Sequence, residues 1–279
     1  QILRYKNFCE ISKVKMSIKA VFSDIDGTLL NDQHMMTENT RLSIQSLLQK
    51  DIKFVLVSGR SPSGIYSVLN KYKFNCPIIA YSGSIILDEN KNIIYEKGMT
   101  IEAATKIIDF IKKSNFNLTL NLFSFDDWIT ENRNNPEVKE EEKASCIESI
   151  EGDINSLKEG QMVHDILCMC HPDEIFDIEE KISKKFPEFT VVKSSKTYLE
   201  IMMNGVNKAN AVSHLCKMWN IDMKDVLAFG DNYNDVEMLE SVGHGIAMGN
   251  APESIKNRIK NATLDNNHDG LAFALKKYF

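Results

Sequence analysis

The stretch Ile18-Lys19-Ala20-Val21-Phe22-Ser23-Asp24-Ile25-Asp26-Gly27-Thr28-Leu29-Leu30 decides how the rest of the chain is read. Ala20 to Phe22 is a short apolar run of the kind that forms a buried strand. It breaks into two carboxylates one residue apart, followed by Gly27 and Thr28. Bare carboxylates at the end of a core strand are costly to bury unless a cation or hydrogen bonds stabilise them. Asp24 and Asp26 are therefore a candidate metal site, and Gly27 lets the backbone turn sharply away. An ordinary Asp-rich turn closing a strand would give the same letters, so matching pieces must be sought downstream.

Outward from this stretch, Thr37 is placed to cap a helix reaching about Lys50, with Ile44, Leu47 and Leu48 as its apolar stripe. Phe54 to Val57 reads as a second buried strand and stops at Ser58-Gly59-Arg60. Ser61-Pro62 then forms an N-cap followed by proline at the first helical position. A third strand, Ile78 to Tyr81, ends at Ser82-Gly83. Three strand–loop–helix cycles in succession predict an α/β fold, a Rossmann-like doubly wound parallel sheet whose working edge lies at the carboxyl ends of the strands.

From Ser84 the rhythm changes. Ile85 to Leu87 and Ile93 to Tyr95 read as a hairpin, and irregularly alternating helices and strands follow as far as Val192. This predicts an inserted α+β cap over residues 84–196, splitting a core of 16–83 and 197–279. After Tyr198 to Met202 the first style resumes. Lys208 opens a helix, and the strand Val226 to Phe229 runs into Gly230-Asp231-Asn232-Tyr233-Asn234-Asp235.

Composition narrows the function classes. The chain has 279 residues, 43% of them hydrophobic, with 33 basic against 39 acidic side chains and a net charge of −6. Without a long basic run it is expected to bind neither nucleic acid nor an anionic membrane. No apolar stretch is long enough to span a bilayer. The six cysteines show no CxxC pair, which favours buried thiols in a reducing, cytoplasmic setting. Cys168 and Cys170 alternate and should share one side of a strand. Gln1 to Lys15 is basic without a signal-peptide core. Met16 looks like a natural start, so residues 1–15 are expected to be an extension outside the fold. The six histidines show no metal-ligand spacing.

Four polar clusters fall at strand ends or helix starts: Asp24 with Asp26, Ser58, Lys208, and Asp231 with Asn234 and Asp235. The acids are hard oxygen donors suited to Mg²⁺. Ser58 and the amides of Gly59 and Gly27 can hold phosphate oxygens, aided by the helix N-terminus at Ser61. Lys208 supplies a point charge for the same anion. Taken singly, each is more simply a turn, a cap or a solvated side chain. Together they suit a substrate phosphate bridged to Mg²⁺ beside a carboxylate nucleophile.

These residues carry a family resemblance. Asp24-Ile25-Asp26-Gly27-Thr28, Ser58-Gly59-Arg60, Lys208 and Gly230-Asp231-Asn232-Tyr233-Asn234-Asp235 resemble the four motifs of the haloacid dehalogenase-like superfamily, in particular its Cof-type phosphatases of subclass IIB. Glu200-Ile201 before Gly205-Val206, Ala247-Met248-Gly249-Asn250-Ala251 and Asp269-Gly270 add to it. One departure is Ser82-Gly83, where many relatives have Asn-Gly.

The resemblance implies a Mg²⁺-dependent phosphatase acting on small phosphorylated metabolites, such as sugar phosphates or phosphorylated cofactors. It implies Asp24 as nucleophile forming an aspartyl-phosphate and Asp26 as the acid and base. Asp24, the backbone carbonyl of Asp26 and Asp231 would hold the metal, and Asp235 would orient Lys208 or a metal water. Thr28, Ser58, Gly59, Lys208 and Asn234 would face phosphate or substrate. The cap would move about hinges near Ser84 and Lys196, on a monomer or weak homodimer. A phosphomutase of the same superfamily and a non-catalytic phosphometabolite-binding module are the alternatives. Trp128 and Phe123 to Phe125 would either reach the substrate's organic part or pack the cap sheet.

Overall fold

The computed structural model describes residues 18–145 and 147–279. The predicted extension, Met16, Cys9 and Cys146 lie outside the described residues.

In chain order the first elements are β1 (Ala20–Ser23), α1 (Glu38–Gln49), β2 (Lys53–Val57), α2 (Pro62–Tyr72), β3 (Ile78–Ala80), β4 (Ile85–Leu87) and β5 (Ile93–Glu96). Next come α3 (Ile101–Lys113), β6 (Leu118–Ser124), β7 (Asp127–Thr130), α4 (Pro136–Ser145), β8 (Ile150–Glu151), β9 (Asp165–Cys170), α5 (Ile175–Lys185), β10 (Phe189–Lys193) and β11 (Tyr198–Met203). The last are α6 (Lys208–Met218), β12 (Val226–Gly230), α7 (Val236–Ser241), β13 (His244–Ala247), α8 (Glu253–Arg258), β14 (Asn261–Ala262) and α9 (Gly270–Tyr278).

Two sheets organise these elements. The larger has the order β14-β13-β12-β1-β2-β3-β4-β5, parallel from β14 to β3. The smaller has the order β10-β11-β9-β6-β7-β8 and is antiparallel except for the β7–β8 pair. Every residue of β1 is buried. Val21 packs with Ile44, Leu47, Ile65 and Leu275 on one face, while Ala20 and Phe22 pack with Val212, Leu215 and Leu239 on the other. A strand with helices on both sides reads as an unbroken apolar run for this reason.

The helix starts follow local chemistry. The Thr37 side chain accepts from the Thr40 amide and that of Ser61 from the Gly64 amide, with Pro62 opening α2 where no amide partner is needed. Cys168 and Cys170 share one face of β9 and pack against the smaller lobe's helices. The four cysteines among the described residues are free and buried.

The predicted boundaries of the insertion do not coincide with the sheets. β4 pairs antiparallel with β3 and β5 with β4, so the hairpin expected at the head of the insertion extends the larger sheet instead. At the other end β11, expected at the resumption of the core, pairs with β10 and β9 in the smaller sheet. The reason is that Ile85, Ile86 and Leu87 are buried by pairing back along β3, a partner that the alternation of the hairpin does not encode.

Phe22, fully buried and stacked on Trp219 with ring centroids 6.4 Å apart, is the largest side chain of β1. Phe22→Ala should lower unfolding stability by about 3–5 kcal/mol with an unchanged denaturant slope, read by chemical denaturation.

Candidate active site

β1 and β12 are neighbours, with Ser23 opposite Phe229. Their next residues emerge side by side at the carboxyl edge: Asp24 directly after β1, and Asp231 directly after Gly230. After Asp24 the chain folds back tightly, the amides of Leu29 and Leu30 donating to the Ile25 carbonyl at 3.0 and 2.9 Å. Gly27 takes φ +81°, and a Cβ there would lie 2.4 Å from Asp231 Oδ2. Glycine is required on both counts. Gly230 serves the second loop by close approach, since a Cβ would meet that of Asp235 at 2.4 Å.

Asp235 can therefore fold under the loop. Its Oδ2 accepts from the amides of Asp231 and Asn232, each at 3.0 Å, and its Oδ1 accepts from Lys208 Nζ at 2.6 Å. The same ammonium donates to Asp24 Oδ1 at 2.6 Å. Lys208 is 1% exposed and Asp235 fully buried. Asn207 caps α6 through the Asn210 amide, which sets Lys208 as the first residue of that helix.

One oxygen each from Asp24, Asp231 and Asp235 lie within 4.8 Å of one another, a separation that one metal ion can bridge. Three carboxylates face a single ammonium, so the fully ionised cluster carries −2, which a divalent cation would balance. Burial pushes the Asp24 carboxyl well above its ordinary range; Lys208 opposes this, and Asp235 and Asp231 reinforce it. Asp231 is raised to about 6, chiefly by burial, although a hydrogen bond from Thr28 works the other way. Burial disfavours the charge on Lys208, yet Asp235 and Asp24 outweigh it and hold the ammonium protonated well above its usual range.

The remaining predicted residues take distinct places. Thr28 Oγ1 donates to Asp231 Oδ1 at 2.8 Å, so its hydroxyl is engaged by a carboxylate. Ser58 is buried at the end of β2, its Oγ accepting from the Arg60 amide at 3.2 Å. Gly59 and Asn234 line the cavity above the acids. Asp26 stands apart from the acid cluster, its carboxylate gripped by Arg60 through Nε at 2.7 Å and a terminal nitrogen at 2.6 Å. Ser82 is buried, with φ +53° and its amide donating to the Ser58 carbonyl at 2.9 Å. That left-handed backbone suits asparagine better than serine.

Two residues were quoted in motifs without being given a role. Arg60 grips Asp26, and Asn250 Nδ2 donates to the Gly27 carbonyl at 2.9 Å and to Asp231 Oδ2 at 3.3 Å. Each lies within a stretch that resembles a family motif, and that membership is the only signal the sequence offers.

Above the acids is a cavity of about 400 Å³, a size typical of small-molecule sites. Its floor includes Asp24, Asp26 and Ser58, and its roof comes from the smaller sheet and α4, including Trp128, Asp165, Tyr198 and Glu200. Tyr81 OH donates to the Phe125 carbonyl at 2.7 Å, and the Tyr81 ring stacks on His164 at 5.7 Å. His164 Nδ1 accepts from the Phe125 amide at 3.0 Å, so Nε2 carries the hydrogen toward Glu96 Oε1 at 2.9 Å. Among the described residues, no helix is long and apolar enough to cross a membrane.

The raised carboxyls set a pH dependence for the cation-free protein. Between about pH 4, the ordinary carboxyl value, and about pH 6 the folded state holds protons that the unfolded chain has released. Stability should then fall as pH rises through that window, because the unfolded state binds fewer protons than the native one. Melting temperatures measured in chelator should show this fall, and Asp231→Asn should make it shallower.

Comparison with known proteins places the chain. A family model described as haloacid dehalogenase-like hydrolase matches residues 21–275. A Haemophilus influenzae protein bearing a phosphatase name is 35% identical over 264 residues, covering 95% of this chain and 99% of that protein. Bacillus subtilis YcsE, named a 5-amino-6-(5-phospho-D-ribitylamino)uracil phosphatase, is 27% identical, with 96% and 98% of the two chains covered. The crystal structure of a haloacid dehalogenase-like hydrolase from Bacteroides thetaiotaomicron superposes with a TM-score of 0.85 at 27% identity, covering 94% of this chain and 99% of that one. With its mixed α/β architecture and its similarity to proteins named phosphatases, this chain belongs to the haloacid dehalogenase-like hydrolase family.

Proposed function

We propose that this protein is a Mg²⁺-dependent phosphatase that hydrolyses small phosphorylated metabolites through an aspartyl-phosphate on Asp24. The observation that carries this reading is the convergence of Asp24, Asp231, Asp235 and Lys208 beneath a cavity of metabolite size. The donor set is all oxygen and the cluster is short of two positive charges, a fit for Mg²⁺ held by Asp24, Asp231 and the backbone carbonyl of Asp26. Bound there, the ion would offset the charge of the carboxylates and of the substrate phosphate.

The chain's own groups supply the rest. The Asp24 carboxylate attacks phosphorus as the ester P–O bond breaks, and the departing alcohol oxygen takes a proton from Asp26. Water then attacks the phosphorus of the acyl phosphate, giving its proton to Asp26, and the bond to Asp24 breaks to release inorganic phosphate. Lys208 and Asn234, with the Ser58 hydroxyl and Gly59 amide, would steady the phosphoryl oxygens. The Thr28 hydroxyl, bonded to Asp231, acts by orienting that ligand. Arg60 now occupies both oxygens of Asp26, so the acid role requires it to release at least one of them.

The smaller lobe serves as a cap that excludes water once substrate is bound. The chain passes between the sheets at residues 97–100 and 204–207. These crossings, rather than Ser84 and Lys196, are the natural hinges.

In p-nitrophenyl phosphate hydrolysis, Asp24→Asn should lower kcat by at least about 10³-fold while the protein stays folded. Chelation should abolish turnover and Mg²⁺ restore it. Wild-type rates in Asp24→Asn would show the nucleophile to be misassigned. With a sugar phosphate, release of inorganic phosphate is expected. Isomerisation with little release would favour a mutase, and binding without turnover a sensor.

A further inference from the structure

The roof of the cavity is acidic, and the reaction at its floor gives no reason for this. On β9, Asp165, Leu167 and Met169 share one face while Ile166, Cys168 and Cys170 pack against the lobe's helices. In the antiparallel register Glu200 of β11 stands opposite Leu167, and Tyr198 opposite Met169. Asp165 and Glu200 are therefore diagonal neighbours on the face that looks into the cavity, within reach of one another's side chains. Glu141 of α4 joins them in the lining, its Oε2 accepting from Tyr198 OH at 2.7 Å.

Asp165 is the informative member. It is 8% exposed; its Oδ1 is sealed off without a hydrogen-bond partner, and the carboxylate's hydrogen bonds come from the backbone at Ile166 and Ile201. A buried carboxylate oxygen without a partner is costly, and this one belongs to a side chain lining a space of about 400 Å³. Burial also raises the carboxyls of both Asp165 and Glu200, and Glu200 raises Asp165 further, although backbone hydrogen bonds work against this at Asp165, as do Ser194 and Lys208 at Glu200. A neutral hydroxyl against this pair would leave the like-charge repulsion in place. A cation lodged against the two carboxyls relieves it. The rings of Trp128 and Tyr198 in the same lining favour a cation as well.

We propose that the roof reads a cationic amine: the preferred substrates are phosphate monoesters whose alcohol carries a protonated amino group, held by Asp165 and Glu200. Lys208 at the floor takes the anionic end and the roof takes the cationic end, so the substrate is bound by charge at both. This rests on the phosphatase reading given above.

The test compares substrates that differ by one amino-for-hydroxyl exchange at two lengths: glucosamine 6-phosphate against glucose 6-phosphate, and phosphoethanolamine against 2-hydroxyethyl phosphate. In at least one pair the wild-type enzyme should show a kcat/KM for the amine roughly tenfold or more above that of its partner. Asp165→Asn should bring that ratio close to one whatever its absolute rates. Glu200→Gln, read in the same way, decides the matter if Asp165→Asn does not fold. A wild-type enzyme with no preference in either pair overturns the proposal, as does a ratio that survives both substitutions. p-Nitrophenyl phosphate separates the two levels of inference. If it is hydrolysed without any amine preference, only the roof assignment fails; if neither it nor any ester is hydrolysed, the phosphatase reading fails and takes this proposal with it.

Discussion

An ammonium with almost no access to water, shared at 2.6 Å by Asp24 and Asp235, fixes the architecture of this site. Lys208 stands at the first position of α6, where the helix dipole disfavours a cation. Two carboxylates at hydrogen-bonding distance outweigh that cost, and removing the lysine would leave them buried and uncompensated. Asp235 is locked in turn by the amides of its own loop, a geometry that the missing side chain at Gly230 permits. The position of Asp24 then follows from the β1–β12 register. Each restraint comes from a different segment, and all of them meet at the edge where the parallel strands end.

Two chemistries divide the cavity. The floor, built from loops of the parallel sheet, is suited to phosphate and a divalent ion, both of which are generic. The roof, built from strands of the second sheet, holds the aromatic and acidic side chains that can discriminate among leaving groups. They are joined at Tyr81, which follows β3 directly, hydrogen-bonds to Phe125 and stacks on His164. His164 also hydrogen-bonds to Glu96 at the end of β5. Burial lowers the basicity of this imidazole despite Glu96, in keeping with a neutral ring that accepts from Phe125. These contacts pack the two lobes against each other beside the cavity.

The parallel core was legible in the sequence because its signals are local. Ala20 to Asp24, Phe54 to Ser58 and Val226 to Asp231 each give an apolar run broken by polar residues, and Thr37 and Ser61 give caps one position before their helices. Sheet membership was not legible for the hairpin Ile85–Tyr95 or for Tyr198–Met203. Their periodicity shows which side chains are buried but not the strand against which they lie. The pairing of Arg60 with Asp26 spans 34 residues and depends on two loops meeting. The roof was the least legible part, since Asp165 and Glu200 become neighbours only through the register of β9 and β11. Asp165 inside an apolar run was an anomaly in plain sight, but its meaning required the cavity.

The account stands on Asp24 becoming covalently phosphorylated. The direct measurement is an acid quench during steady-state turnover in Mg²⁺, followed by proteolysis and peptide mass mapping. The account predicts one phosphoryl group on the peptide containing Asp24, acid-stable and labile to hydroxylamine as an acyl phosphate should be, and formed at least as fast as phosphate is released. Rapid turnover that leaves this peptide unmodified while another residue carries the label would contradict it.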